Sequence, residues 1–425
     1  LFKLLLKPAG LSQALSSAFT AAFMFKLTGM SVTIVASVCV IFSRKFFLSL
    51  SFVFSWLLGS YDAFSKNRCQ IVYDAGSSGT RLYVYEKKNN TWIEHEGPKA
   101  SALADPVREI RGAKWGQRKV LINEVMSLLE TILQDGPKNS GGGLAWKAFD
   151  WKKACDVRVA SIFATAGMRI AEHLNRKRSQ ILWRELKLAL QRKLGSKVKV
   201  LTRTLPGYEE GLFAWLSVRE KKGSDRFGIV EMGGASSQIT FPCRSCADSK
   251  NILIGGKKLK IFSYSFLGLG GDEATKVFGL ASSCKYGAGS GSSSWSSKKC
   301  ADSMKVSNSR GVYDPYNFKN GKRGVYKRLP FQKAKGIEWV FTGAFKFVNE
   351  KTIDKCCRRK GKCFEKETSC FRAVYYKKYI ESLGLDYKSR RAGASWTLGA
   401  VICNENNCLS RFGRKQCLWS SKGCL

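Results

Sequence analysis

Histidine is nearly absent from this 425-residue chain: only His95 and His173 occur. A multi-histidine metal centre is thereby excluded, and little room is left for a Ser-His-Asp hydrolase. No GxxxxGK[ST] run occurs, which argues against a P-loop nucleotide site. Acidic residues are scarce too, with 32 Asp plus Glu against 72 Lys plus Arg and a formal net charge of +40. A field of that sign attracts nucleic acid, anionic lipid, polyanionic glycans or free nucleotides without choosing among them. The basic cluster KCCRRKGKCFEK (355–366) reads either as a phosphate-binding stripe or as a solvated surface. Long hydrophobic runs are missing as well. The two apolar stretches, 28–42 and 46–60, both fall short of the roughly 20 residues a spanning helix needs. The second follows the basic pair Arg44 and Lys45 and ends in small and polar residues. Residues 1–65 therefore read as an export signal, with a retained membrane signal-anchor as the alternative. The sequence begins at Leu1, and Met24 and Met30 are candidate internal starts.

What is present points to a folded, exported protein. A content of 44% hydrophobic and 12% aromatic residues excludes disorder as the global state. At roughly 100 to 200 residues per domain, the length suits two or three domains. Fifteen cysteines become an even set once Cys39, within the first apolar stretch, is set aside. With so little histidine a zinc site would need four thiolates, so the cysteines favour disulfides in a secreted or lumenal protein. Their pairing is left open. Asn89 opens an N-x-[ST] triplet, a possible glycosylation site.

From Gln70 onward, strands and helices alternate. QIVYD (70–74), the turn AGSSG (75–79) and TRLYVYE (80–86) read as a hairpin. Helical spacing follows in 118–135, a buried strand in 157–165, a longer amphipathic helix in 170–194 and a strand in 198–202. A second hairpin then echoes the first: FGIVEM (227–232), the turn GGASS (233–237) and QITF (238–241). Asp74 and Glu231 hold matching positions in the two, about one domain length apart. Such duplication predicts an α/β architecture of two similar domains meeting at a cleft. The stretch YGAGSGSSSWSS (286–297) reads as a surface loop.

A Gly/Ser turn can aim successive backbone N–H groups into a concavity, with the hydroxyls of Ser77, Ser78 and Thr80 as further donors. Glycine permits the close approach or positive φ that such a nest requires. One such turn is an ordinary hairpin. Two, each with a carboxylate at the strand end, can grip a polyphosphate from both sides while the carboxylates hold the waters of a divalent cation.

DAGSSGTR (74–81), ATAGMR (164–169), GYEEGLFAW (207–215), EMGGASSQ (231–238) and YSFLGLGGDEA (264–274) resemble, in order, the conserved regions of the apyrases. These are the ecto-nucleoside triphosphate diphosphohydrolases, and WTLGAVI (396–402) resembles a weaker tail motif. The resemblance implies two RNase H-like domains of the actin, sugar kinase and Hsp70 type facing across a cleft. By analogy the first domain spans about 66–205, the second 206–390, and 391–425 returns to the first. It also implies Mg²⁺- or Ca²⁺-dependent hydrolysis of nucleoside tri- and diphosphates by direct attack of water. Asp74 and Glu231 would hold the cation mainly through water. Ser77, Ser78, Gly79, Thr80, Gly233, Gly234 and Ala235 would line the phosphate loops, with Arg81 supporting the first. Glu210 would be the general base, with Glu209 the runner-up, and Thr165, Ser236 and Gln238 would position the water.

Three features depart from the family. Glu231 stands where Asp is usual, and the extra methylene predicts a displaced cation or a changed cation preference. One conserved region is not recognisable around 99–113, and the basicity is no part of the family pattern. A second reading follows, a catalytically weakened apyrase fold that docks on polyanions or anionic surfaces. Cys243 and Cys246 read either as a labile redox pair beside the second hairpin or as bonded to other cysteines. Trp339, Phe341, Tyr375 and Trp396 suit base stacking or core equally, and none is assigned.

Overall fold

The computed structural model describes residues 66–108, 113–134, 151–285, 295–347, 353, 356–358, 368–409, 419–420 and 423–424. The chain divides into two units, Leu1–Ser65 and Lys66–Leu425. The export signal or anchor, most of the 286–297 loop and most of the 355–366 basic cluster fall outside the described residues.

Within the second unit the chain writes the same motif twice. Strands β1 (Asn67–Gly76), β2 (Gly79–Lys88) and β3 (Thr91–Ala100) run as an antiparallel meander. A single helical turn, α1 (Asp105–Arg108), and helix α2 (Arg118–Gln134) follow. Strand β4 (Cys155–Ala164) pairs parallel to β1, helix α3 (Ala166–Leu194) crosses over, and β5 (Lys199–Thr204) pairs parallel to β4. The five-stranded sheet therefore has the order β3-β2-β1-β4-β5. Helix α4 (Gly207–Lys222) then leads into the second sheet.

There β6 (Phe227–Met232), β7 (Ser236–Pro242), β8 (Lys250–Ile254) and β9 (Lys257–Leu267) are joined, after β10 (Gly311–Lys319) and β11 (Lys322–Lys327), by β12 (Glu338–Gly343). Helix α5 (Ser369–Ser382), β13 (Arg390–Arg391) and helix α6 (Trp396–Glu405) complete it. The sheet order is β13-β12-β6-β7-β9-β8, with β6–β7 and β7–β9 antiparallel and β6–β12 and β12–β13 parallel. Strands β9-β7-β6-β12-β13 thus repeat β3-β2-β1-β4-β5 in order and direction, and α5 and α6 repeat α3 and α4. β10 and β11 lie apart, in a small antiparallel sheet with Ser307–Asn308.

Each repeat needs both of its crossovers because a parallel strand cannot follow a tight turn. The central strands are buried on both faces, and β6 carries no exposed residue in FGIVEM. Helix α4 is apolar nearly all round, with Leu212, Phe213, Ala214, Trp215, Leu216 and Val218 buried. It is packed against β7 and β9 on one side and α6 on another. Helix α6 contacts the first sheet and α4: Thr397 Oγ1 lies 2.6 Å from Tyr85 Oη, Asn404 donates to Gln70 at 2.9 Å, and Gly399 N donates to Ser217 Oγ at 2.7 Å.

The cysteines whose side chains are described are oxidised. Cys69–Cys155, Cys243–Cys246, Cys284–Cys300, Cys357–Cys370 and Cys403–Cys408 form disulfides, and Cys356 is bonded as well. The four-thiolate zinc alternative therefore falls for these residues. Cys243 and Cys246 bond to each other rather than to other cysteines, and both are buried in the core of the second sheet's lobe. Asn89 and Asn90, at φ 47° and 62°, form the exposed turn between β2 and β3. Among the described residues no helix is long and apolar enough to cross a membrane.

Candidate active site

The two Gly/Ser hairpins meet tip to tip. In β1–β2 the register pairs Asp74 with Arg81 and Gly76 with Gly79, leaving Ser77 and Ser78 as the turn. In β6–β7 it pairs Glu231 with Gln238, and Gly233 N closes the turn on Ser236 O at 2.9 Å. A methyl group at Gly234 would collide with Ser77 Oγ and lie 2.7 Å from Asp272 Oδ2. A methyl at Gly167, in the first turn of α3, would lie 2.9 Å from Ser77 Cα. Ser77 is thus pinched between two glycines at which any Cβ would force a neighbour to shift.

A loop the sequence reading quoted without a role braces the second hairpin. Gly268 N donates to Ala235 O (2.8 Å), Gly271 N to Gly233 O (2.9 Å), and Asp272 N and Glu273 N both to Gly234 O (2.7 and 3.1 Å). The carbonyls of Gly233, Gly234 and Ala235 are all tied back, which fixes the peptide planes of the turn. Asp272 in turn pairs with Arg372, and Glu273 pairs with Arg108 at 3.0 Å. Arg108 lies in the 99–113 stretch where no motif was legible, yet it ties the segment after β3 to the brace of the other lobe.

At the base of the cleft sits one buried guanidinium. Arg169 Nη2 donates to Glu210 Oε2 (2.5 Å) and to Ser236 Oγ (3.0 Å), and Nη1 donates to Ser265 Oγ (3.2 Å). Gln238 Nε2 donates to Ser236 Oγ (2.5 Å) and Ser265 Oγ (3.1 Å). Local packing makes this possible, because side chains at Gly207 and Gly211 would collide with Ser265 and with Ser263 and Thr240. The glycines let the first turn of α4 lie against β7 and β9, where Glu210 is 3% exposed. Glu209 faces elsewhere and pairs with Arg203, so the runner-up is engaged outside this network. Sequence reasoning missed Arg169 and Ser265 as site residues, although both lie inside quoted motifs.

The remaining expected residues divide. Thr165 caps α3 and its N–H donates to Ala75 O (3.3 Å), which ties it to the end of β1 beside Asp74. Arg81 pairs with Glu96 (3.2 Å) and donates to Tyr83 Oη (3.4 Å), holding the flank of the first hairpin. Thr80 is fully buried and its Oγ1 donates to Ser101 O (2.9 Å), just past the end of β3. Among the aromatics, Phe341 and Tyr375 are fully buried core, and Trp339 packs edge-on against Phe241. Trp396, at the start of α6, reaches Asp74 and lowers its pKa.

Glu210 and Glu231 act on the Arg169 guanidinium, and Asp74 lies within electrostatic reach of Glu210 and Arg81. Burial, then the charge of Glu210, pushes the Asp74 carboxyl up to about 7 against Arg81, Trp396 and Lys99. Burial raises Glu231 well above the usual range, with Glu210 and Asp74 adding to it and Arg169 opposing. Burial also raises Glu210, and Arg169 opposes that rise. Asp74 Oδ1, Glu231 Oε2 and Gln238 Oε1 are buried without a hydrogen-bond partner among the described residues. All three are acceptors, and such atoms are costly unless donors meet them. A hydrated divalent cation supplies both the donors and the missing positive charge, and hard oxygen ligands suit Mg²⁺ or Ca²⁺. Among the described residues no group of three or more His, Cys, Asp and Glu side chains is close enough to hold an ion directly. A cation here would be shared by two carboxylates and water.

The chain is similar to several known proteins. Nucleoside-triphosphatase ntp-1 of Caenorhabditis elegans is 28% identical over 234 residues, covering 49% of this chain and 39% of that protein. Human ectonucleoside triphosphate diphosphohydrolase 2 is 27% identical over 229 residues, covering 48% and 42%. Probable apyrase 5 of Arabidopsis thaliana is 30% identical over 257 residues, covering 57% and 48%. The aligned chain thus spans less than half the length of each of these relatives. A crystal structure of nucleoside triphosphate hydrolases from Neospora caninum shares the fold, with a TM-score of 0.52 at 14% identity, covering 84% of this chain and 96% of that one. The two-domain α/β architecture is therefore the one the sequence led to expect. A model of the GDA1/CD39 (nucleoside phosphatase) family matches residues 150–371. That is more than half of the chain, and it includes Thr165, Arg169, Glu210 and the whole second hairpin: the protein belongs to the GDA1/CD39 nucleoside phosphatase family.

Proposed function

We propose that the protein hydrolyses the terminal phosphate of nucleoside tri- and diphosphates by direct attack of water, with Glu210 as general base. One observation carries this reading: Glu210, Ser236 and Gln238 are linked through Arg169 and Ser265 directly beneath two facing phosphate hairpins. Phosphoryl transfer asks a protein chiefly for in-line positioning and charge neutralisation.

The arrangement supports the following division of work. The Ser77–Ser78–Gly79 and Gly233–Gly234–Ala235 turns hold phosphate oxygens from opposite sides. Burial raises the Glu210 carboxyl, which makes it a stronger base than a solvated glutamate, and Arg169 opposes that rise and so favours its ionised form. Ser236 Oγ already accepts two N–H groups, so its own proton is left to donate. Gln238 Oε1 accepts one hydrogen of the water and Glu210 takes the other, which aims the oxygen lone pair at phosphorus. The new O–P bond forms as the bridging P–O bond breaks, and the proton rests on Glu210. A cation held by Asp74 and Glu231 would neutralise charge on the phosphate chain. We set the domain limits near 66–205 and 206–390, with 391–425 returning to the first.

The disulfides suit an oxidising, extracytoplasmic compartment, and export is part of the proposal. The polyanion-binding alternative rests on the net charge and on Glu231 in place of Asp, and no described contact favours it. A phosphate-release panel over nucleoside tri-, di- and monophosphates tests the reading. Activity should need Mg²⁺ or Ca²⁺, vanish with EDTA, and fall by about a hundred- to ten-thousandfold in Glu210→Gln. A metal-independent rate that this substitution leaves intact would overturn it.

A further inference from the structure

The duplication of the fold assigns a role to a residue that no motif includes. In the second lobe three directly opposed residues cross adjacent strands β6, β7 and β9, namely Glu231, Gln238 and Ser265. Residues opposed in this way share one face of the sheet, and all three serve the site. The same row in the first lobe crosses β1, β2 and β3 as Asp74, Arg81 and Lys99. Lys99 therefore stands where the other lobe has Ser265, which bonds both Arg169 and Gln238.

Its contacts place it at the hairpin tip. The stem of Lys99 crosses Gly79, whose φ is 145°: a methyl there would collide with Lys99 Cε and lie 3.1 Å from Nζ. The ammonium is also within electrostatic reach of Asp74, whose carboxyl it helps to lower. Asp74, Glu210 and Glu231 meanwhile repel any incoming polyanion.

We propose that Lys99 is a phosphate ligand, its ammonium holding a non-bridging oxygen of the substrate's phosphate chain at the first hairpin. The proposal rests on the nucleoside polyphosphate reading and names a residue for its recognition. A lysine acts here as a point charge, as other phosphate-binding lysines do.

Lys99→Met keeps the stem that covers Gly79 and removes the charge, while Lys99→Arg keeps the charge. Binding of a nucleoside triphosphate with an imido bridge between its last two phosphates is measured by calorimetry, first in EDTA and then with Mg²⁺. Lys99→Met should bind about ten- to a hundredfold more weakly in EDTA, as for one lost charge-assisted contact, and Lys99→Arg within about threefold of wild type. Thermal unfolding of both variants at the wild-type temperature establishes that the hairpin is intact. Equal affinity of Lys99→Met and wild type in both conditions would overturn the assignment while leaving the nucleotide reading in place. Wild-type protein that binds the analogue in neither condition would end both.

Discussion

The Arg169–Glu210 pair is the most informative place to perturb this protein. Both side chains are about 4% exposed, and the guanidinium also holds Ser236 and Ser265. Arg169→Met removes the counter-charge and leaves a carboxylate in a low-dielectric pocket beside Asp74 and Glu231. Breaking a buried pair in this way costs about 3–5 kcal/mol. Glu210 escapes the penalty by binding a proton, so its pKa, already raised by burial, climbs further. If about 3 kcal/mol of the loss falls on the ionised form alone, the rise is about two pKa units. A base must be ionised to accept a proton, so the acid limb of kcat/KM against pH should move up by about two units, which lowers the rate by up to about a hundredfold on the acid side of that limb. At higher pH the variant should recover towards wild type.

The stability effect has the same sign. A group whose folded pKa lies above its unfolded value adds stability at low pH and loses it as pH rises through the folded pKa. Arg169→Met should therefore unfold more easily at pH 8 than at pH 5, relative to wild type. The double variant Arg169→Met with Glu210→Gln removes both charges and should be more stable than Arg169→Met alone by about 2 kcal/mol or more. Phosphate release across a pH series, together with thermal unfolding of the four proteins of the cycle, checks both parts. An unmoved acid limb, or a double variant no more stable than the single one, would refute the reasoning.

The remaining predictions concern separate elements. Gly234→Ala drives a methyl into Ser77 and against Asp272, so kcat/KM should drop at least about tenfold while stability falls by only about 1–3 kcal/mol. A full-rate variant would mean that the hairpins do not work as a pair. Thr80→Val strands the Ser101 carbonyl and should cost about 1–3 kcal/mol with unchanged kinetics. Ser77→Ala should do the reverse, lowering kcat/KM with little change in melting temperature. Away from the site, burial lifts Asp314 to about 6 although Tyr264 and Asn317 donate to it. Its stabilising effect is complete below its unfolded pKa near 4 and is lost as pH rises through about 6. Asp314→Asn should flatten the fall in melting temperature between pH 4 and 7, and a fall as steep as that of wild type would contradict the assignment.

The duplicated hairpins were legible because each is a local pattern, a β-rich run, a Gly/Ser turn and a return strand, with an acidic residue at the same step. The helices at 118–135 and 170–194 were legible for the same reason, since 3.6-residue periodicity is a local property. The match of Asp74 with Glu231 even foreshadowed the repeat of strand order and direction in the two sheets. Cysteine pairing was not legible. Cys69 and Cys155 are 86 residues apart and meet only because β1 and β4 pair in parallel.

What the sequence alone determined was therefore the kind of fold, its doubling, and the residue types at the mouth of the cleft. The assignment of partners was left to the tertiary structure. Thr80 was read as a phosphate donor because a hydroxyl beside glycines looks available, and only the β2–β3 pairing revealed Ser101 as its acceptor. Arg169 passed unassigned because its hydrogen-bond partners in the site lie far from it along the chain. Glu210 is 41 residues away, and Ser236 is 67. A buried charge is governed by whatever surrounds it in space, and those surroundings are assembled from segments whose separation along the chain carries no record of their contact.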